Sequence, residues 1–282
     1  MVRLVYGIGA TKAGSSWLYR LLQFHPECHL RAPKELHFFD AIEFGLAASR
    51  VRRIEERIDV LQGRLETKPR VRKVIRDLRD WLLVAKSSDE DAYRRFLTQG
   101  LGAKTLVADV TPNYSRVSEE TLSRMTRVLP DTRFVFLMRD PVARLWSHIR
   151  MLARKARTPG DDAAEVAART LEQVLAEPGS AVVSRGFYDQ TLQRLKAVVP
   201  ASQVYVDFFE ETVLTGEVGR LCAFLGIAPR LPSEREYHKG MKVPISPDQH
   251  RQLLSILAPQ YDFVRREFGR LPAAWEASLA RA

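Results

Sequence analysis

The sequence predicts an α/β fold in which a central parallel sheet is flanked by helices on both faces. Three observations predict it: short apolar runs recur along the chain, a polar or helical segment follows each run, and the first run ends in glycines. The runs are LVYGIGA (4–10), TLVADV (105–110), RFVFLMRD (133–140) and SQVYVDFF (202–209). Strands that alternate with helices in this way are typical of a parallel sheet that is covered on both faces.

The first run begins a strand–loop–helix unit. After LVYGIGA, the segment SSWLYRLLQFH (15–25) carries apolar residues at helical spacing, with Trp17, Leu18, Leu21 and Leu22 on one face. In such a unit the loop amides and the positive end of the helix dipole point at one spot. The unit therefore predicts a site for an anion.

The loop, GATKAGSSWL (9–18), is close to a nucleotide P-loop but has its lysine in another place. A P-loop places lysine directly after the closing glycine and follows it with Ser or Thr for magnesium. Here Lys12 precedes Gly14, and Ser15 and Ser16 follow that glycine. We interpret the lysine as a cation and the serines as hydroxyl donors to an anion. Because Ser and Gly also cap ordinary helices, a purely structural role is the alternative.

A charged segment, 43–102, separates the first two apolar runs and is predicted to be a mainly helical insertion. Its clearest helix is RVRKVIRDLRDWLLVAK (70–86), where apolar residues form a stripe flanked by arginines. The stripe consists of Val71, Val74, Ile75, Leu78, Leu82 and Leu83. We interpret it as a face that packs on the core, with contact to a substrate or a membrane surface as the alternative. The chain, 1–282, is predicted to be a single domain.

A second candidate anion site follows the third apolar run. RDPVARLWS (139–147) turns from a strand into a helix, with Asp140 placed as its cap and Pro141 suited to its first turn. Arg139 ends the strand and Ser147 lies about two turns into the helix, so both could reach one pocket. Arginine offers a fork for phosphate and serine a hydroxyl. The alternative is an arginine paired with a neighbouring acid and a serine that faces solvent.

The composition points to an anionic ligand, nucleic acid or a membrane surface. The 44 Lys and Arg residues against 34 Asp and Glu give a net charge of +10, of which 50–95 (14 basic, 9 acidic) and 139–157 (6 basic, 1 acidic) each contribute +5. Two cysteines, Cys28 and Cys222, are too few for a disulfide framework or a cysteine-rich metal site and fit a reducing compartment. No apolar run of about 18 residues is present. We therefore expect a cytoplasmic protein without a transmembrane segment, and peripheral membrane contact stays open.

The two candidate anion sites together resemble the nucleotide-binding signatures of sulfotransferases that use 3′-phosphoadenosine 5′-phosphosulfate (PAPS). The stretches are GIGATKAGSSWLYRLL with a following HP, and RDPVARLWSH after a strand. The resemblance implies a P-loop-like sulfotransferase fold and a sulfuryl transfer that requires no metal and leaves 3′,5′-adenosine bisphosphate (PAP). It implies that Lys12 lies near the bridging oxygen of the 5′-phosphosulfate, and that Arg139 and Ser147 hold the 3′-phosphate. The other loop residues implied to bind the nucleotide are Ala13, Gly14, Ser15, Ser16 and Trp17.

Two less specific stretches extend the resemblance towards the C-terminus. SRGFYDQTLQRL (184–195) resembles the family's RG.Y segment, which implies that Arg185 and Gly186 lie near the nucleotide. YHKGMK (237–242) resembles the lysine–glycine loop that covers the 3′-phosphate, which implies contacts from Lys239 and Gly240.

A sulfuryl group that moves to a hydroxyl or amine leaves the acceptor with a proton to lose, so a base must reach the acceptor. PKELHFFD (33–40) resembles the KE.HFF stretch of heparan-sulfate-type carbohydrate sulfotransferases, in which the glutamate is the base. Glu35 is the predicted base and His37 the alternative, and with Phe38 they are predicted to contact the acceptor. The structural alternatives are an exposed Glu35 paired with Lys34 and a hydrogen-bonded His37.

ADVTPNYS (108–115) resembles the EK[ST]P.Y segment of the heparan-type enzymes, with Asp109 in place of the glutamate and Val110 in place of the lysine. Asp109, Thr111, Pro112 and Tyr114 are predicted to line the acceptor cleft. The resembling enzymes use the missing lysine for substrate binding. The KELHFF stretch therefore favours a sugar hydroxyl, whereas the loss of the lysine and the amphipathic insertion suit a lipid or a small natural product.

Two other functions are compatible with parts of the sequence. A P-loop kinase or NTPase would share the topology and could use Asp109 at its metal, but the placement of Lys12 speaks against it. A non-enzymatic nucleic-acid-binding protein would explain the net charge, but no zinc-finger or RNP-like motif accompanies that charge. We therefore expect a nucleotide donor and a small-molecule, sugar or lipid acceptor as partners, and no nucleic acid.

Overall fold

The structure is a computed structural model that describes residues 1–65, 67–69, 71–231 and 241–281. Its strands are β1 (Arg3–Gly9), β2 (Cys28–His29), β3 (Leu106–Asp109), β4 (Asp131–Met138) and β5 (Val204–Phe208). They form one sheet in the order β2-β3-β1-β4-β5, and every neighbouring pair is parallel. The predicted parallel sheet is confirmed, and the four apolar runs form β1, β3, β4 and β5. The edge strand β2 has only two residues and was not predicted.

Helices connect the strands and cover both faces of the sheet. They are α1 (Ser15–Gln23), α2 (Phe38–Glu43), α3 (Ala47–Gln62), α4 (Val71–Ser87), α5 (Glu90–Thr98), α6 (Glu119–Thr126), α7 (Pro141–Ala156), α8 (Ala163–Ala176), α9 (Ala181–Ser184), α10 (Tyr188–Val198), α11 (Phe209–Thr212), α12 (Gly219–Leu225), α13 (Pro247–Phe268) and α14 (Ala273–Leu279). Short 3₁₀ turns span Pro112–Arg116 and Ala201–Gln203.

Successive residues of each strand pack on opposite faces of the sheet. Val5 of β1 lies in a core with the apolar face of α1 and Leu221 of α12. Its neighbours Leu4 and Tyr6 lie in a second core, which includes Leu145 of α7. Because both faces are buried, the strands have continuous apolar sequences instead of alternating ones.

The insertion between β2 and β3 is helical, as predicted. Helices α3 and α4 pack against each other around Ile58, Ile75 and Leu78. Farther along, Trp81 of α4 and Tyr93 of α5 are buried in the core that lies against the sheet. The insertion is therefore packed onto the sheet domain along the second half of α4.

One part of the predicted apolar stripe of α4 is wrong. Leu83 is 71% exposed, whereas Trp81 and Val84 are buried. The buried side of the helix continues from Leu78 to Trp81, three residues later, and Leu83 points away from it.

The strand order determines where the loops meet. Strand β1 lies between β3 and β4, and all strands point the same way, so the residues that follow them gather at one edge of the sheet. In open parallel sheets this carboxyl edge is where ligands bind. The loop after β1, the 3₁₀ turn after β3, the start of α7 after β4 and the start of α11 after β5 all lie here.

Candidate active site

The loop after β1 turns tightly before α1. The Ala10 amide donates to Leu137 O (2.7 Å) and the Ala13 amide donates to Ala10 O (3.1 Å). Gly14 precedes the helix with φ 95°, and a Cβ at this position would lie 3.0 Å from the Phe209 ring of α11. A residue with a side chain would be both crowded and strained here, so glycine holds the loop against the start of the helix.

The structure separates the predicted loop residues into two groups. Lys12, Ser15 and Ser16 are half-buried at the loop and the first turn of α1. The side chains of Ala13 and Trp17 are buried in the cores on the two faces of the sheet. A contact of Ala13 or Trp17 with a ligand would therefore come from the backbone.

Lys12 lies among other cations. Burial lowers the pKa of its ammonium group to about 8, and neighbouring positive charges add to the effect. These charges belong to Arg139, Arg150, Arg154 and Lys34. A group of cations that lower one another's pKa is stabilised by a bound anion.

Arg139 joins the two predicted anion motifs directly. Its Nη1 donates to the backbone oxygen of Lys12 at 3.1 Å, and its guanidinium lies 4.7 Å from the centre of the Phe209 ring. The Tyr188 hydroxyl donates to the backbone oxygen of Arg139 at 2.5 Å. The end of β4 is therefore fixed next to the loop after β1, although 127 positions separate the two residues in the chain.

Helix α7 starts at this edge as the sequence predicts. The Asp140 side chain accepts from the Ala143 amide at 2.7 Å and caps the helix, and Pro141 occupies its first turn. Ser147 and Arg150 lie one turn apart on the same face. Arg150 Nη1 donates to Met241 O at 3.3 Å, and its buried Nε has no partner among the described residues.

The structure places Arg185 and Gly186 in different surroundings. Arg185 Nε donates to Asn113 Oδ1 at 3.1 Å, which puts this side chain beside the turn after β3. Gly186 packs on the fully buried Arg144, and a Cβ at Gly186 would lie 2.5 Å from Arg144 Nε. Lys239 and Gly240, the other predicted nucleotide contacts, lie outside the described residues.

Glu35 lies between two cationic groups at the mouth of the site. Lys34 Nζ lies 3.0 Å from Glu35 Oε1 and also donates to Ser16 Oγ at 2.9 Å, while His37 Nε2 lies 3.4 Å from Glu35 Oε2. Burial raises the pKa of Glu35, but the hydrogen bond from His37 and the charge of Lys34 outweigh it and lower the pKa to about 2. Lys34 therefore connects the loop serine to the predicted base.

His37 is held between two carboxylates. Its Nδ1 lies 2.8 Å from Asp40 Oδ2, and Asp40 is fully buried. Burial lowers the pKa of His37, but the hydrogen bonds to Asp40 and Glu35 outweigh it and raise the pKa above its ordinary value. The backbone of His37 has φ 55°, a left-handed conformation that costs energy in a residue with a side chain. Such strain is typical of functional positions.

The segment around Glu35 is supported from below by buried hydroxyl groups. Thr111 Oγ1 accepts from the Leu36 amide at 3.0 Å, and the Tyr114 hydroxyl accepts from the Phe38 amide at 3.0 Å. Both hydroxyls donate to Asp109, at 2.6 Å and 2.7 Å. Burial raises the pKa of Asp109 to about 6, against the hydrogen bonds that it accepts.

The residues predicted to line the acceptor cleft are buried, and their contact with an acceptor stays a prediction. Asp109, Thr111, Pro112, Tyr114 and Phe38 are all buried, and the Phe38 ring stacks on the Tyr93 ring at 4.5 Å. These buried residues position the segment that carries Glu35, since Thr111 and Tyr114 accept hydrogen bonds from its backbone. Contact with an acceptor also stays a prediction for Glu35 and His37.

Sequence reasoning missed several members of the site. Lys34 was considered only as a partner of Glu35, and Asp40 and Asn113 were not considered as site residues. Asp40 stands three residues after His37, so the helical start of α2 could have indicated their pairing. Asn113 gave no signal in the sequence, because its contacts to Asp40 and Arg185 join three separate parts of the chain.

Two structural searches concern the described residues alone. Within them, no three His, Cys, Asp or Glu side chains are grouped so that they could hold a metal ion. Likewise, none of the described helices has the length and apolar character needed to cross a membrane. Metal independence and location in the cell stay predictions.

Comparisons with known proteins agree with this geometry. The family model described as "Sulfotransferase family" matches residues 5–230. A sulfotransferase from Alicyclobacillus acidocaldarius has a similar fold, with 23% identity, a TM-score of 0.66, and coverage of 98% of this chain and 99% of its own. The sulfotransferase domain from the curacin biosynthetic pathway is similar over 91% of this chain and 97% of its own, with 14% identity and a TM-score of 0.50. The search of curated proteins found no match.

The family match spans the loop after β1, the Glu35 segment, the turn after β3 and the start of α7, which are the elements that form the site. The predicted resemblance is confirmed, and the chain belongs to the sulfotransferase family.

Proposed function

We propose that this protein transfers a sulfuryl group from PAPS to a hydroxyl or amine of a small-molecule, sugar or lipid acceptor. The observation that carries the proposal is the continuity of the site. Arg139 bonds to the backbone of Lys12, and Lys34 bonds to both Ser16 and Glu35. A donor loop and a candidate base therefore lie side by side at one edge of the sheet.

The residues present fit an anionic nucleotide. Gly14 and the start of α1 offer backbone amides, and the positive charges of Arg139, Arg150, Arg154 and Lys34 surround Lys12. Arg139 and Ser147 are proposed to hold the 3′-phosphate, with Arg150 on the same face of α7. The nucleotide supplies the activated sulfuryl group, and the chain binds and orients it.

Glu35 is proposed to accept the proton of the acceptor. As the acceptor oxygen or nitrogen bonds to sulfur, the bond from sulfur to the 5′-phosphate oxygen breaks. The proton moves to Glu35 Oε, and PAP leaves with the electron pair of the broken bond. With a pKa of about 2, Glu35 is ionised at neutral pH but is a weak base, so the proton moves late, when the acceptor has become acidic.

Lys12 and the loop amides are proposed to stabilise the charge that grows on the leaving phosphate. His37 and Asp40 orient Glu35 from the other side, because the imidazole bonds to both carboxylates. Positioning and electrostatic stabilisation carry most of the acceleration in such transfers, as they do in phosphoryl transfer.

The donor is tested by calorimetric titration with PAP, AMP and magnesium–ATP on the same sample. We expect selective, metal-independent binding of PAP, weakened about 10- to 100-fold in Arg139→Ala, because a charged hydrogen-bonding group is removed. Arg72→Ala, an exposed arginine of α4, is the matched control and should bind PAP like the wild type. Preference for magnesium–ATP would make a kinase or NTPase the better description, and binding to DNA or RNA that falls steeply with salt would favour a nucleic-acid-binding protein.

The base is tested by measuring PAP formation from PAPS with a panel of alcohols, phenols and amines. Glu35→Gln should retain PAP affinity but lose about 100-fold or more in turnover, because the amide cannot accept the proton. Glu56→Gln, at an exposed position of α3, serves as the control. Unchanged turnover in Glu35→Gln would remove Glu35 from the mechanism.

A further inference from the structure

Three arginines from separate parts of the chain lie near one another, since the charges of Arg116 and Arg50 both act on Arg185. Arg50 comes from α3, Arg116 ends the 3₁₀ turn after β3, and Arg185 follows α9. None of the three belongs to the loop after β1 or to α7, which provide the proposed donor site. Their convergence requires an explanation, because like charges that are held close together repel one another.

The buried Asp40 carboxylate connects two of the three. Arg50 Nη2 lies 3.7 Å from Asp40 Oδ2. On the other side, Asn113 Nδ2 donates to the same Oδ2 at 2.7 Å, and Asn113 Oδ1 accepts from Arg185 Nε at 3.1 Å. Arg50 and Arg185 therefore flank one carboxylate, and Arg185 reaches it only through an amide.

The described carboxylates near this group, Asp40 and Glu35, balance its three positive charges only in part. Asp40 Oδ2 already accepts from His37 and Asn113, so Arg50 has only the longer contact. Arg116 and Arg185 form no ion pair with any described residue, and the guanidinium of Arg116 lies 5.1 Å from the centre of the Phe44 ring. Burial lowers the pKa of Arg185 and the charges of Arg116 and Arg50 lower it further, against the charges of Asp40 and Glu35, which raise it. A partly buried positive cluster of this kind favours an anion.

Contacts through His37 and Asp40 connect the cluster to Glu35, because Asp40 contacts Arg50 directly and Arg185 through Asn113. The charges that act most strongly on Lys12 come from Arg139, Arg150, Arg154 and Lys34. Those that act on Arg185 include Glu35 and Asp40. Lys34 contacts Glu35 and also Ser16 at the start of α1, whereas His37 joins Glu35 to Asp40 and the arginines around it. The cations around Lys12 suit the nucleotide, and the three arginines are left for the other reactant.

We propose that Arg50, Arg116 and Arg185 form a subsite for a negatively charged group of the acceptor, a carboxylate or a phosphate monoester, beside the hydroxyl or amine that Glu35 deprotonates. This inference rests on the proposed function and adds the class of acceptor to it. Guanidinium groups bind both anions through paired N–H donors. It also reassigns Arg185 from the nucleotide to the acceptor.

The test is a ligand-observed NMR titration of protein saturated with PAP, with pairs of ligands that differ only in charge. The pairs are methyl glucuronide with methyl glucoside, 4-hydroxyphenylacetate with its methyl ester, and glycerol 3-phosphate with glycerol. We expect at least one anion to bind with an affinity about tenfold or more above that of its neutral partner. A factor of this size is what one hydrogen bond to a charged group contributes to binding. The first two pairs report on carboxylates and the third on phosphate.

The ratio of the affinity for the anion to that for its neutral partner should fall about tenfold in Arg185→Ala and in Arg116→Ala. Arg185→Lys should retain part of this ratio, because it keeps the positive charge. Loss of the Arg185 side chain could disturb Asn113, to which it donates a hydrogen bond. Arg116 forms no ion pair with any described residue, so Arg116→Ala tests the subsite without that disturbance. Arg72→Ala is the control. The inference is overturned if no anion binds, if neutral partners bind equally well, or if the variants leave the preference unchanged. Loss of PAP binding alone would reject the proposed function, and the same titrations without PAP would then decide the anion subsite separately.

Discussion

The lowered pKa of Lys12 predicts that affinity for the proposed nucleotide depends on pH, in a range where phosphates do not titrate. Burial and the surrounding charges lower this pKa to about 8 in the free protein. A bound anion would raise it again, because an opposite charge favours the ammonium form. The protein must therefore take up a proton on binding when the pH is above about 8, and affinity for PAP should fall there.

The size of the effect follows from the protonated fraction of Lys12. With a pKa of about 8, that fraction falls roughly tenfold between pH 7 and pH 9, and the binding constant for PAP should fall by the same factor. The second pKa of a phosphate monoester is about 6, so PAP stays ionised throughout. Calorimetric titrations of PAP at pH 7, 8 and 9, with thermal unfolding checked at each pH, measure the dependence.

Two variants separate Lys12 from other titrating groups. Lys12→Arg keeps its charge up to pH 9 and should abolish the dependence, because the guanidinium pKa is above about 12. Lys12→Met should bind more weakly at pH 7 and also show no dependence. Constant wild-type affinity from pH 7 to pH 9, or an equal fall in Lys12→Arg, would refute the assignment of Lys12 to the anion site.

Two further predictions concern stability, measured by urea unfolding. Gly186→Ala should lower the free energy of unfolding by about 1–3 kcal/mol, because the added Cβ would lie 2.5 Å from the buried Arg144 Nε. Gly179→Ala is the control, since a Cβ at Gly179 would have open space around it. Equal free energies of unfolding in the two variants would contradict the packing argument. Burial raises the pKa of Asp109 to about 6 from its ordinary 3.8, so its stabilising contribution is present below 3.8 and is lost as the pH rises through 6. Relative to Asp109→Asn, the wild type should therefore lose about 2 kcal/mol between pH 4 and pH 7, and a constant difference would disprove the raised pKa.

The fold was predictable to the extent that it depends on local pattern. Continuous apolar runs marked four strands, and the Asp140 cap with Pro141 marked the start of α7. The two-residue strand β2 was missed because it has too few residues to show a period. Leu83 was placed on the wrong face of α4 because apolar residues occur on both sides of the helix, and only packing against α5 and the sheet decides which are buried.

The site was predictable where one motif contains the chemistry. Lys12 lies in such a motif, and the structure brings it into contact with Arg139. Contacts between distant segments were not predictable. Asn113 connects Asp40 to Arg185, and each of the three lies on a different part of the chain. The sequence identifies the residue types at each point but contains no signal for such a bridge.

The buried residues after β3 explain how an exposed base can still be well positioned. The Glu35 side chain is 37% exposed, which suits its proposed contact with a diffusing acceptor. Its backbone is fixed on the C-terminal side, because Thr111 and Tyr114 accept from the Leu36 and Phe38 amides. Asp109 orients both hydroxyls by accepting from them, so each has its oxygen free to accept an amide. The buried Asp109 carboxylate therefore positions the segment that carries Glu35, the proposed base, which accounts for a charged group buried at the carboxyl end of a central strand despite the cost of its desolvation.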